Sequence, residues 1–221
     1  MKQSVSLDNP RVVREAIREE LIVGPTNGLA PGFIQCNILI LPHRYADDFA
    51  RYCELNRHAC PVLAQSEVGD PALPSLADDI DIRTDLSAYS IFEHGQLTQT
   101  KHDIKDLWDD DFVTFAFGCS FSFEELLVQE GVGQAYLERG DSAAIYYTNI
   151  DTEAVGPFIG KIVVSMRPLT PADAIKAIQL TAQYPDVHGA PIHIGHPHLI
   201  GIEDINSPVQ SLSQTRVMKD E

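Results

Sequence analysis

"FVTFAFGCSFSFEELL", residues 112–127, is the stretch on which the reading of the fold turns. Its first seven residues are apolar enough to read as a buried strand. Gly118 then lets the chain turn sharply. A helix is expected from Ser122 to about Glu130. Ser122 and Glu125 are spaced as a capping box, in which each side chain satisfies an orphan donor of the other's backbone. Cys119 and Ser120 fall just before that helix start, where unpaired N–H groups and the helix dipole favour an anion and also favour a thiolate. The segment is not a G-x-S-x-G nucleophile elbow, because Ser122 stands where the second glycine belongs. Three readings stay open: a capped corner with a buried thiol, a carboxylate-binding turn at Cys119 and Ser120, and a nucleophile at Cys119.

Strand followed by helix recurs on both sides of this corner. "DNPRVVREAIREEL" (8–21) carries a cap at Asp8 or Asn9, Pro10 in the first turn, and Val13, Ile17 and Leu21 at helical spacing. "FIQCNILIL" (33–41) reads as a strand covered on both faces, and Pro42 opens a second helix with Tyr45, Phe49 and Tyr52 or Cys53 on one side. "IYYTNI" (145–150) and "KIVVSM" (161–166) are further strands. "TPADAIKAIQLTAQY" (170–184) has Thr170 as cap, Pro171 first, and Ile175, Ile178 and Ala182 on one face. "HGAPIHIG" (188–195) reads as a short strand between turns. This alternation predicts an α/β fold with a mixed or mostly parallel sheet flanked by helices. Between Cys60 and Asp111 the texture becomes proline-rich and acidic. "YSIFEHGQLTQ" (89–99) reads there as a hairpin turning at His94-Gly95, and Trp108 as an apolar anchor. The expected organisation is a core of residues 1–62 and 112–221 with a smaller α+β subdomain inserted at 63–111.

The chain has 221 residues, 44% of them hydrophobic, and a formal net charge of -16. That length suits one large domain or two small ones. The charge argues against nucleic acid or an anionic membrane as partner, since both need a basic face. A small anionic substrate stays open if arginine or backbone N–H groups cluster locally, and the composition leaves room for a homodimer. Four cysteines lack a CxxC pattern and read as reduced thiols of a cytoplasmic protein. No run is long enough to span a membrane, and the polar "MKQSVSLDNP" start lacks a signal-peptide core.

"VHGAPIHIGHPHLIG" gathers His188, His193, His196 and His198, four of the eight histidines. The spacing is not a helical HxxxH, and no metal is expected. His188 and His193, in turns beside glycine and proline, suit a general acid or base. Arg167 closes an apolar strand just before a helix. Ligands of open α/β sheets gather at such ends, and a guanidinium there can grip a carboxylate. Arg83 lies among Asp79, Asp81 and Asp85 and either binds substrate or pairs with them. Asn149 can orient a substrate or cap a turn. "GPTNGLAPG" has neither G-x-G-x-x-G nor a Walker lysine, so no nucleotide or other cofactor is expected.

Taken in order, "GLAPGFIQCNILILP", "DIRTD", "GCSFSFE", "TNI", "GPFIGKIVVSMRPL" and "VHGAPIHIGHP" resemble the bacterial hydro-lyase family related to the mitochondrial D-glutamate cyclase, from about Gly28 to Ile205. The resemblance implies an α/β fold with a smaller α+β subdomain. It also implies a carbon–oxygen lyase that expels water from a small carboxylic or amino acid, as in the interconversion of D-glutamate and 5-oxoproline. Most relatives have arginine at Tyr147 and commonly an acid at His196, and relatives continue past this C-terminus. The shorter end keeps a second reading: a non-catalytic carboxylate-binding or regulatory protein with an incomplete site. In the enzyme reading His188 or His193 moves the proton, with Cys119 as a third catalytic candidate. Arg167, Ser120, Asn149 and Arg83 are the substrate-binding candidates.

Overall fold

The computed structural model describes residues 6–133 and 143–211. The polar start quoted above lies partly outside that range. The chain forms two units, one of residues 1–47 and 62–122, the other of 48–61 and 123–221.

In the first unit, α1 (Pro10–Arg18) starts as expected, with the Asn9 side chain accepting from the Arg11 N–H and Pro10 in the first turn. Val13 and Ile17 are buried with Ala30, whereas Leu21 lies beyond the helix and is exposed. Strands β1 (Cys36–Pro42), β2 (Val62–Gln65) and β5 (Phe112–Gly118) make a sheet in the order β1-β5-β2. β5 is antiparallel to both neighbours, with Cys36 opposite Gly118 and Pro42 opposite Phe112. β5 is buried nearly throughout, as a central strand should be. β1 alternates instead, leaving Asn37 and Leu39 exposed, so it is not covered on both faces. The expected 63–111 segment falls entirely in this unit. It contains all of β2 but its first residue, and the hairpin β3 (Tyr89–Glu93) and β4 (Gln96–Lys101). The hairpin turns at His94 and Gly95, both at positive φ, the geometry that matches strand twist in a two-residue turn. Leu73 and Ile82 from the acidic stretch are buried with Ala64 and Ala116, and Trp108 packs on them. The Trp108 indole N–H donates to the Gly69 carbonyl at 3.1 Å, and its ring meets Phe112 edge-on.

In the second unit, β6 (Ala144–Asp151) lies between β7 (Lys161–Met166) and β8 (Gln210–Ser211), antiparallel to each. Ala144, Tyr146 and Ile202 form its buried centre, with Val164 and Met166 against them. The register slips between Tyr147 and Asp151, so Asn149 sits in an irregular stretch of β6. Helix α2 (Ala46–Leu55) lies mostly in this unit, as does α3 (Phe121–Gln129). Phe49 of α2 meets Phe158 with ring centroids 4.9 Å apart. The last helix, α4 (Pro171–Thr181), has the Thr170 side chain accepting from the Asp173 N–H at 3.2 Å. It buries Ala177 and Thr181 rather than the expected Ile175, which is 60% exposed.

The expected mixed or mostly parallel α/β sheet is therefore corrected: every strand pairing among the described residues is antiparallel. The β1–α2–β2 pattern does return the chain in the same direction, since both strands oppose β5. The slot between them is taken by β5, so the two parallel strands never pair. Residues 188–195 are also not a strand but a succession of turns.

Candidate functional site

In the second unit, the turn after α4 holds the first histidine candidate. Thr181, 5% exposed, donates its hydroxyl to the Ala177 carbonyl at 2.7 Å and accepts from the Ala190 N–H at 3.2 Å. The Gly189 N–H closes on the Tyr184 carbonyl at 2.8 Å. A Cβ on Gly189 would lie 2.0 Å from the Thr181 oxygen, so only glycine fits. His188 and Ala190 on either side both adopt positive φ, 66° and 62°. Left-handed backbone costs an L residue roughly 1–2 kcal/mol, and it persists where surrounding structure over-determines it. Such strain clusters at functional sites.

The half-buried His188 ring is fixed by its Nδ1, 3.1 Å from the His58 carbonyl oxygen. A carbonyl can only accept, so Nδ1 carries the proton of the neutral ring and Nε2 keeps the lone pair. His193 is held the opposite way. Its Nε2 lies 2.9 Å from the His196 carbonyl, so Nε2–H donates and Nδ1 keeps the lone pair. The rings of His196 and His198 lie 5.5 Å apart. Among the described residues no three His, Cys, Asp or Glu side chains converge so as to hold a metal ion.

Arg167 follows β7. Its Nη2 donates to Glu124 of α3 at 2.6 Å and its Nη1 to the Ser165 hydroxyl at 3.3 Å. The side chain is 13% exposed, so this pair is largely screened from water. Asn149 is exposed on β6, and the chain at Gly201 comes so close that a Cβ there would be 2.8 Å from the Asn149 Cβ. The irregular register around Asn149 is of the kind that re-aims side chains beside sites.

In the first unit, the corner at Gly118 is built differently from the expected capping box. α3 already begins at Phe121, so Ser122 lies inside the helix. Its hydroxyl accepts from the Gln35 N–H at 2.9 Å and donates to the Gln35 carbonyl at 3.4 Å. Glu125 accepts instead from the Gln129 side chain. The Cys119 N–H donates to the Gln35 carbonyl at 3.0 Å, so this donor, expected to greet an anion, extends the β1–β5 pairing. Cys36, opposite Gly118, has its thiol pushed up to about 11 by burial and then by the nearby Cys119. Ser120 lies between this Cys119 contact and α3. Arg83 takes the bland alternative: its Nε and Nη2 grip Asp81 in a fork at 2.9 and 2.8 Å.

Two contributors escaped the sequence reading. Glu124 pairs with Arg167 across 43 positions, and His58 orients His188 across 130. The first had a faint signal, an acid in the first turn of a helix; a backbone carbonyl leaves none.

A family model described as D-glutamate cyclase matches residues 113–217. That range takes in Cys119, Ser120, Asn149, Arg167, His188 and His193, and leaves out Arg83. The chain is 52% identical over 195 residues to a protein of Afipia carboxidovorans named "Putative hydro-lyase", covering 88% of this chain and 72% of that one. It is 49% identical over 220 residues to a protein of Rhizobium johnstonii with the same description, covering all of this chain and 81% of the relative. A third so described, from Bordetella petrii, is 54% identical over 187 residues, 85% of this chain and 71% of its own.

Proposed function

The chain belongs to the family of bacterial hydro-lyases that shares the D-glutamate cyclase domain, and we propose that it is a cytoplasmic carbon–oxygen lyase removing water from a small carboxylic or amino acid. D-glutamate, closing to 5-oxoproline, is the first substrate to try. The observation that carries the mechanism is the hydrogen bond from His188 Nδ1 to the His58 carbonyl, which makes Nε2 the nitrogen that bears the lone pair when the ring is neutral and so the one to act as base. In this reading Nε2 takes a proton from the reacting amine as it attacks the side-chain carboxyl carbon. The imidazolium then returns that proton to the departing hydroxyl, which leaves as water. His193 is the alternative proton carrier. In this reading the substrate carboxylate displaces Glu124 from Arg167, and Asn149 orients the substrate by hydrogen bonds. An anionic substrate needs such a local cation in a chain of net charge -16, a charge that also disfavours nucleic acid and anionic membranes as partners. No described helix is long and apolar enough to cross a membrane.

The test is proton NMR of the purified chain with D-glutamate, 5-oxoproline and a panel of hydroxy acids. Turnover by the unaltered chain is expected, and His188→Ala should lower kcat by about 10²–10⁴-fold, the usual weight of a general base. Full activity in both His188→Ala and His193→Ala would sink the mechanism. A carboxylate that raises the melting temperature but is never turned over would replace the lyase by the carboxylate-binding reading.

A further inference from the structure

The hairpin of β3 and β4 is a sheet of its own, with no third strand beside it. Its inner end is tied to the first unit. Tyr89 is buried, and its hydroxyl donates to the Ile82 carbonyl at 2.5 Å. Lys101, opposite Tyr89, pairs with Asp106, and the His102 Nδ1 lies 3.2 Å from the Ser87 carbonyl. Farther out the cover ends. Residues 96–100 are exposed one after another, so both faces of β4 meet solvent. Phe92 is 63% exposed, and Leu97, its partner across the ladder, 55%. A two-stranded hairpin is marginal in water unless something packs on it.

The contact this hairpin can make is through a face rather than an edge. β4 carries an extra residue, Thr98, between the Ile91–Gln99 and Phe92–Leu97 pairs, and the Thr98 hydroxyl donates to the Ile91 carbonyl at 3.3 Å. Such a bulge twists an edge and discourages a further strand from adding to it. Side chains alternate along a strand, so Ser90 with Thr100 and Phe92 with Leu97 share the face opposite Tyr89 and Ile91. That face bears no charge. Residues 89–101 hold one acid, Glu93, and one base, Lys101, in a chain of net charge -16. The aspartates before them are already engaged, Asp79 by Arg14, Asp81 by Arg83 and Asp85 by Arg18. Nothing on the face attracts a basic partner, whereas two copies of so acidic a chain need an uncharged place to meet.

We propose that the outer face of the β3–β4 hairpin is a self-association surface, on which the Phe92–Leu97 pair of one copy packs against the same pair of a second copy about a two-fold axis. Such a contact is isologous, the patch being its own complement. The Phe92–Leu97 pair lies three residues out from Tyr89, about 10 Å of strand. Two hairpins that approach end-on therefore hold their bases roughly 20 Å apart, beyond the ~10 Å over which charge acts at moderate salt. The hairpin thus lets two acidic chains touch while the charge around its base stays screened.

The experiment is sedimentation velocity of the full chain from about 10 µM to about 1 mM, a range that brackets the weak association of a contact far below the ~800 Å² per partner of a stable interface. The weight-average mass should rise toward twice that of the chain, and rise further when added salt screens the remaining repulsion. A mixture of ¹³C-labelled and unlabelled chain should give isotope-filtered contacts between the Phe92 ring of one copy and the Leu97 methyl groups of the other. Phe92→Ser and Leu97→Ser should each weaken association at least about tenfold, with the melting temperature within about 2 °C, since both side chains are exposed. Ser90→Glu keeps the apolar pair and adds a carboxylate to its face; it should weaken association too, more at low salt than at high. A monomer across the whole range would overturn the proposal, as would a dimer that survives Phe92→Ser and Leu97→Ser or that salt dissociates. A doubled mass without the filtered contacts would place the interface elsewhere. Contacts from the Phe92 ring to residues outside the hairpin in the dilute monomer would mean that the chain covers this face itself. Phe92 and Leu97 signals that move with added polylysine and not with protein concentration would give the face to a basic partner instead.

Discussion

Arg83 and His188 are both chemistry-bearing residues in loops, and they are held by opposite means. Arg83 belongs to an ionic mesh in the first unit. Asp85, 3% exposed, accepts from Arg18 at 2.6 and 2.7 Å, from the Thr84 hydroxyl and from the Asp81 N–H. Arg14 pairs with Asp79, and Arg83 with Asp81. His188 sits in a turn of the second unit built from backbone bonds, close approach and left-handed residues, with one neutral hydrogen bond on its ring. An ion pair must be broken before the side chain it fixes can serve a ligand. A single bond to a carbonyl fixes an imidazole and leaves its second nitrogen a lone pair. The acidic mesh thus supplies structure, and the turn presents a group that can react.

That contrast breaks first at Gly189. Gly189→Ala drives a Cβ into the Thr181 and Tyr184 carbonyl oxygens, 2.0 and 2.3 Å away, so the turn must open. The expected cost is roughly 3 kcal/mol or more, with loss of most turnover. Gly160→Ala, with nothing within 4 Å of the new Cβ, should stay within about 0.5 kcal/mol, and equal melting temperatures for the two variants would refute the close-approach account.

In the first unit the equivalent blow is to charge. Asp85→Ala strips an anion from Arg18 and leaves guanidinium groups with too few acceptors, at about 3–5 kcal/mol by denaturant titration. A loss under 1 kcal/mol would show that the mesh is ornamental.

The smallest effect is in acid. Hydrogen bonding to Arg83 holds the Asp81 carboxyl below its ordinary value. Burial pushes Asp79 up, but the Arg14 hydrogen bond and charge outweigh it, so Asp79 is lowered too. A depressed folded-state value stabilises the fold above the ordinary carboxylate range, about pH 4, and that stabilisation is lost as pH falls through the depressed values. Stability should therefore decline below about pH 4, and Arg83→Met should flatten part of that decline. An unchanged acid limb in Arg83→Met would detach Asp81 from it.

The same division explains what could be seen in the sequence. Strands β5, β6 and β7 and the His94-Gly95 hairpin were legible because hydrophobic pattern and turn chemistry are local. Sheet direction was not, since β1 finds β5 across 70 to 82 positions and β2 is four residues in a proline-rich stretch. The closure of Arg83 on Asp81 was legible from its flanking aspartates. The Glu124–Arg167 pair and the His58 carbonyl behind His188 come from tertiary structure alone.

Trp108, the only tryptophan in the chain, lies wholly within the first unit, against Phe112 and the Gly69 carbonyl. Its fluorescence is therefore a built-in reporter of one half of the molecule. Circular dichroism at far-ultraviolet wavelengths averages over both. Coincidence of the two melting curves would mean a single cooperative transition, and their separation would give each unit its own stability without a label.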